Sequence, residues 1–201
     1  MAFNHILQLF DTDDSLAQSV ATFLAIGSRL NQKQLVVATP AHWRAIALGL
    51  RATSFDPRSA VDEGRLIVLD GQELLARCTR RGQPSRALFH VNVGTLVARL
   101  VADSPDGLRV YGEMVELLAQ DGDYAGAAKL EELWNELGAR HSFTLLCGYA
   151  APHFAAPDAG SALASICGQH SQTVCHSSDP LGQFLLGSNL AAPNAIRQFE
   201  A

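Results

Sequence analysis

In "LRVYGEMVELL" (108–118) an apolar strand pattern gives way to a helical one, and a glutamate stands at the join. In open parallel sheets, ligands sit where strands run into helices at the carboxyl edge. Glu113 is therefore a candidate ligand or switch carboxylate. A carboxylate at a helix N-terminus also favours the macrodipole, and the sequence leaves both roles open. Gly112 permits the tight turn. Arg109 and Tyr111 share the side of Glu113 by strand parity, which makes Arg109 a candidate partner for it. Cys147 and Tyr149 end "SFTLLCGYA" (142–150) on one side, near the same crevice. The plainer role for Cys147 is a small core residue. His42 follows the second strand, as a pocket residue or as an exposed helix position. Asp70 ends "GRLIVLD". It either caps the next helix or stands as the acidic tip that holds magnesium in phosphate-loop enzymes.

A second group lies in "CGQHSQTVCH" (167–176). Cys167 and His170, spaced i, i+3, can share one helix face. With Cys175 and His176 nearby, the segment is a candidate for metal, haem or thiol-redox sensing. Its spacing fits no zinc template, and structural zinc closes four ligands. Arg77, Arg80, Arg81 and Arg86 cluster in "RCTRRGQPSR". Basic residues in a last helical turn stabilise the helix end, and a docking patch for an acidic partner is the alternative.

Nucleotide sites of α/β proteins place a glycine-rich turn after the first strand, with backbone amides around phosphate. Here that turn is "FDTDDSLAQS", without glycine or lysine and with Asp11, Asp13 and Asp14. Carboxylates there repel phosphate, which argues against ATP and leaves a degenerate relative of nucleotide-binding ATPases as a further alternative. The chain has no Gly-x-Ser-x-Gly, His-Glu-x-x-His or Cys-x-x-Cys motif, and the reading is of a non-catalytic protein.

The elements that must position these residues alternate. Strands are expected at 4–10, 34–40, 64–70, 108–112 and 142–150. Helices are expected at about 14–30, over "AHWRAIALGLRA", "GQELLARCTRRG" and "PSRALFHVNVGTLVARLV", at 113–120, over "DYAGAAKLEELWNELGARH" and over "PDAGSALASICGQHS", the last with Asp158 or Ser161 near its start. In the amphipathic helix Ala127, Leu130, Leu133, Trp134 and Leu137 form the apolar face. Glu131, Glu132, Asn135 and Glu136 are expected to face water, with Asn135 free to bond a neighbouring loop. Strands apolar on both faces, alternating with helices, predict a three-layer αβα domain with a mainly parallel sheet of at least five strands. The 201 residues suit one domain. Residues 1–176 form it, and 177–201 read as an irregular tail that packs on the domain or on a partner.

The apolar fraction is 48%, the charged fraction 17% and the net charge −5. This is a globular composition without the basic face of a direct nucleic-acid binder. No segment reaches the roughly 20 apolar residues of a membrane span, and no secretory signal is recognisable. The expected location is the cytoplasm, with Cys78, Cys147, Cys167 and Cys175 reduced.

The segments "HILQLF", "LVVATPAHWRAI", "GRLIVLD" with "GQELLAR", "LRVYGEMVELLAQDGDYAGAAKLEELWNELGARHSFTLLCGYA" and "ICGQHSQTV" together resemble the MEDS domain, the DcmR-like sensory domain of methanogen and methylotroph regulators. The resemblance runs from about residue 4 to 176. It implies a RecA/KaiC-like core without the phosphate loop, and signalling rather than catalysis. By this resemblance the domain senses a small organic ligand, expected to be largely apolar and to sit beyond the carboxyl ends of the strands, and acts on a regulatory protein such as a kinase, an anti-sigma element or a transcription regulator. Many such domains carry an attached output module. None is recognisable here, so action in trans, or through the tail, is the expectation. A homodimer also suits the fold family.

Overall fold

The computed structural model describes residues 3–189 apart from 54, 157 and 158. The chain runs β1 (Asn4–Phe10), α1 (Asp13–Arg29), β2 (Lys33–Ala38), α2 (Pro40–Arg51), α3 (Pro57–Asp62), β3 (Leu66–Asp70) and α4 (Gly71–Cys78). A two-residue hairpin follows, β4 (Thr79–Arg80) with β5 (Gln83–Pro84). Next come α5 (Arg86–Phe89), a π-helical turn (His90–Gly94), α6 (Thr95–Ala102), β6 (Leu108–Gly112), α7 (Met114–Gln120), α8 (Tyr124–Gly138) and β7 (Thr144–Ala150). A 3-10 turn (Ala151–Phe154), α9 (Gly160–Cys167), β8 (Gln172–Cys175) and α10 (Pro180–Asn189) complete it.

Six strands form one parallel sheet in the order β3-β2-β6-β7-β1-β8. Period-two alternation splits its side chains between two cores. Ile6, Phe10, Val36, Tyr111 and Leu146 meet α1, α2 and α3 on one face. Leu7, Leu9, Val37, Val110, Leu145, Cys147 and Tyr149 meet the helices from α4 onward on the other. The expected three-layer architecture is thus present, with the sheet wholly parallel.

Local chemistry sets where the helices begin. Thr12 and Ser15 close a capping box on α1. Thr39 caps α2, with Pro40 in its first turn. Asp70 accepts from the Gln72 and Glu73 amides at 2.8 and 3.1 Å, which is the capping role rather than a metal-bearing tip. Trp134 packs edge-on to Phe89, with centroids 5.1 Å apart, and is core, as its place in the apolar stripe suggests.

The structure departs from the sequence reading in several places. β8 and the hairpin escape a pattern search because they are short, and so does α3. Pro84, read as a helix start, pairs with Thr79 in the hairpin. The expected irregular tail begins as α10, with Leu186 buried in the core. The carboxylate of Asp11 accepts from the Leu181 and Gly182 amides, each at 2.8 Å, fixing the α10 N-terminus to the β1–α1 turn. Ser161 lies in the first turn of α9, while Asp158 falls outside the described residues. No helix among the described residues is long and apolar enough to cross a membrane.

Candidate functional site

The β2/β6 register pairs Val37 with Gly112, which brings the end of β6 against the start of α2. Glu113 occupies the N-cap position of α7, yet its side chain makes no cap. It reaches instead to α2. It accepts from the Thr39 backbone N–H and from the Tyr111 hydroxyl at 3.1 Å, and it contacts His42 Nδ1 at 2.8 Å. The carboxylate is 1% exposed. His42 Nε2 lies 3.4 Å from Asp13 Oδ1 on the first turn of α1. The hydrogen bond to Glu113, opposed by burial and aided by the Glu113 and Asp13 charges, raises the His42 pKa to about 8. The ring is therefore mostly imidazolium at pH 7. Burial and the Glu113 charge push the Tyr111 phenol well above its ordinary value.

One turn along α7, Glu116 accepts from the Ala150 N–H at 2.9 Å and contacts His153 Nε2 at 2.8 Å. Burial raises its carboxyl above the ordinary range, opposed by the Ala150 N–H and His153. These pairs, with Phe10, Asp13, Thr39, Gln72, Leu117 and Gln120, line a cleft of about 340 Å³. A wider groove of about 530 Å³ adjoins it and shares Gln72, Leu117 and Gln120. The cleft lies at the carboxyl edge of the sheet, as ligand sites of parallel sheets do. Its exposed lining is about half polar and half apolar, and its titratable residues include more carboxylates than histidines. It suits a neutral or cationic compound with hydrogen-bond donors, and it disfavours phosphate. At the position of a phosphate loop, α1 is capped by Thr12 and carries Asp13 and Asp14 in its first turn.

Of the residues singled out from sequence, Glu113 and His42 meet in this cleft and Asp70 stays outside as a cap. Arg109 does not pair with Glu113. It lies four residues earlier on β6, roughly 13 Å along the strand at ~3.3 Å per residue. There it donates from Nε to Gln32 Oε1 at 2.7 Å and covers the Phe23 ring, 4.7 Å from the centroid. Cys147 and Tyr149 lie near the same edge but on the opposite face of the sheet, fully buried against α8. They do not line the cleft. Cys167 and Cys175 are core thiols, each pushed up to about 11 by burial. They do not gather around His170.

His170 joins a different set. His5, Glu131, Cys147 and His170 each offer one ligand atom within 4.8 Å of the others, and no other such group of three or more occurs among the described residues. His5 Nε2 is 3.1 Å from Glu131 Oε2 and 3.4 Å from Cys147 Sγ. His170 Nε2 is 3.3 Å from Glu131 Oε1, and Cys147 Sγ is 3.5 Å from Glu131 Oε2. The Tyr149 hydroxyl donates to Glu131 Oε1 at 2.8 Å. Burial would raise the Glu131 carboxyl, but the two histidines outweigh it and hold it far below the usual carboxylate range. The expectation that Glu131 faces water is thus overturned: it is 0% exposed. Its spacing carried the signal. It lies four residues after Ala127 and three before Trp134, inside the apolar stripe. His5 likewise shares the parity of Leu7 and Leu9. Asn135 bonds the loop after α9, donating to the Gln169 carbonyl at 3.0 Å as expected. Glu116 and His153 carried no motif that sequence reasoning could have seized.

No match to the chain was found among curated proteins. Residues 4–166 match the family model described as MEDS, the MEthanogen/methylotroph, DcmR Sensory domain. The matched span takes in the whole cleft, along with His5, Glu131 and Cys147, and stops short of His170. With its parallel sheet and this match over most of its length, the chain belongs to the MEDS family of sensory domains.

Proposed function

We propose that the protein is a non-catalytic sensor that binds a small polar organic compound, neutral or cationic, in the cleft and regulates a partner protein in trans. The observation that carries this reading is the convergence of two carboxylate–histidine pairs, Glu113–His42 and Glu116–His153, at the carboxyl edge of a sheet whose first turn repels phosphate. Glu113 and Glu116 accept hydrogen bonds from the ligand, and the histidines set the cleft's charge. A ligand can shift a conformation only by preferring one state. The β1–α1 turn supplies a route for that preference. Asp13 faces His42 in the cleft, and Asp11, two residues earlier, holds the N-terminus of α10.

Native mass spectrometry of freshly purified protein tests the reading, followed by thermal-shift measurements with a panel of small amines, amides, alcohols and organic anions. The expected result is a retained or stabilising amine, amide or alcohol whose effect is lost in Glu113→Gln. A preference for nucleotides or organic anions would overturn it, as would equal shifts in wild type and Glu113→Gln.

A further inference from the structure

We propose that His5, Glu131, Cys147 and His170 form a closed binding site for one divalent transition-metal ion, with zinc the best fit. This site shares no residue with the cleft and does not depend on the sensory reading.

The geometry is that of a coordination shell. Tetrahedral zinc binds nitrogen and oxygen at about 2.0–2.2 Å and sulfur at about 2.3 Å, which puts neighbouring ligand atoms roughly 3.3–3.8 Å apart. His5 Nε2, Cys147 Sγ and Glu131 Oε2 lie 3.1–3.5 Å from one another, His170 Nε2 lies 3.3 Å from the other oxygen of Glu131, and the four ligand atoms all fall within 4.8 Å, close enough for small side-chain shifts to close them around one ion. The ligands come from β1, α8, β7 and the turn after α9, so ordinary helix or strand periodicity did not place them together.

The outer contacts orient the ligands as metal sites require. His170 Nδ1 is 2.7 Å from the Ile166 carbonyl, and a carbonyl only accepts, so Nδ1 carries the proton. His5 Nδ1 faces Asn135 Oδ1 at 3.0 Å, and the Asn135 amide is oriented by donation to the Gln169 carbonyl. In the neutral rings both Nε2 lone pairs therefore point into the cluster. His170 Nε2 is buried there, 3.3 Å from Glu131 Oε1 but without hydrogen-bond geometry to it. The Tyr149 hydroxyl donates to Glu131 Oε1 and fixes the carboxylate.

The charges also balance. The Cys147 thiol loses its proton to solvent on binding, and a thiolate plus the Glu131 carboxylate neutralise a doubly charged ion. Mixed nitrogen, oxygen and sulfur donors in a tetrahedron select zinc over magnesium or calcium. Four protein ligands with no open position describe a structural or sensory ion rather than a hydrolytic one.

The test uses the full chain, refolded or dialysed with zinc and then with cobalt(II), and elemental analysis after desalting. The expected result is one metal per chain. Cobalt should give tetrahedral ligand-field bands and a thiolate-to-cobalt charge-transfer band. Cys147→Ser, checked for fold by circular dichroism, should lose that band, and Asn135→Ala should bind about 10–100-fold more weakly. Folded wild-type protein that takes up no metal would overturn the proposal. So would equal binding by folded Cys147→Ser, or metal that survives in that variant and disappears in His42→Ala.

Discussion

The carboxyl edge of the sheet and its α8/α9 face carry the same residue types to different ends. In the cleft at the carboxyl edge, carboxylates meet histidines that water still reaches: the His42 and His153 side chains are 19% and 26% exposed. On the α8/α9 face, His5 and His170 are 2% and 0% exposed around a fully buried Glu131. Water can enter the first site and screens each charge there. At the second, every polar atom depends on its neighbours, so removing one leaves an uncompensated buried charge. Solvent access, rather than residue identity, separates an exchangeable site from a closed one.

The contrast predicts unequal mutational costs. Glu131→Ala should destabilise the fold by about 3–5 kcal/mol in urea unfolding, as loss of one partner from a buried charged network does. An effect under 1 kcal/mol would erase the distinction between the two sites. Glu113→Gln should cost less, about 1.5–3 kcal/mol, the range for hydrogen bonds to a charged group. It should also bring the His42 pKa down from about 8, read by proton NMR titration. An unmoved His42 would assign the raised pKa to Asp13.

The pH dependence sharpens the wet side further. His42 has a folded pKa raised above its ordinary 6.5. Its contribution is therefore complete below pH 6.5 and is lost as pH rises through 8. With screening of the partly exposed ring, that loss is on the order of 1 kcal/mol. Unfolding free energies at pH 6 and 8.5 should differ by this amount in wild type and not in Glu113→Gln. The smallest effect belongs to Asp70→Ala, which should remove a helix cap at about 1 kcal/mol and leave ligand binding in the cleft unchanged. A change in binding would return Asp70 to the site.

The fold was legible because buried parallel strands announce themselves as runs apolar on both faces, and β1, β2, β3, β6 and β7 all do. "QTVC" is too short to announce β8. The site was legible only where one element sufficed. Strand parity put Arg109 and Glu113 on the same face correctly, but parity says nothing of distance along the strand, and the two sit at opposite ends. Cys147 and Tyr149 do end a strand near the carboxyl edge. Which face they take depends on the β6/β7 register, Tyr111 opposite Leu146, and a single sequence does not contain that register. The buried quartet needs four segments assembled in space. Its one local sign was a glutamate inside an apolar helical stripe.

The place of β1 in the sheet bears on how the chain reaches this state. β1 lies between β7 and β8, pairing with residues 144–150 and 172–175. The earliest strand of the domain thus finds its hydrogen-bond partners only after about 140 further residues have been made. Such non-local pairing slows folding, because the entropy of closing a long loop is lost before the contacts form. Until then "HILQLF" is an apolar strand with both edges open. It is the segment where misassembly on the ribosome would start, and where a chaperone would be expected to bind.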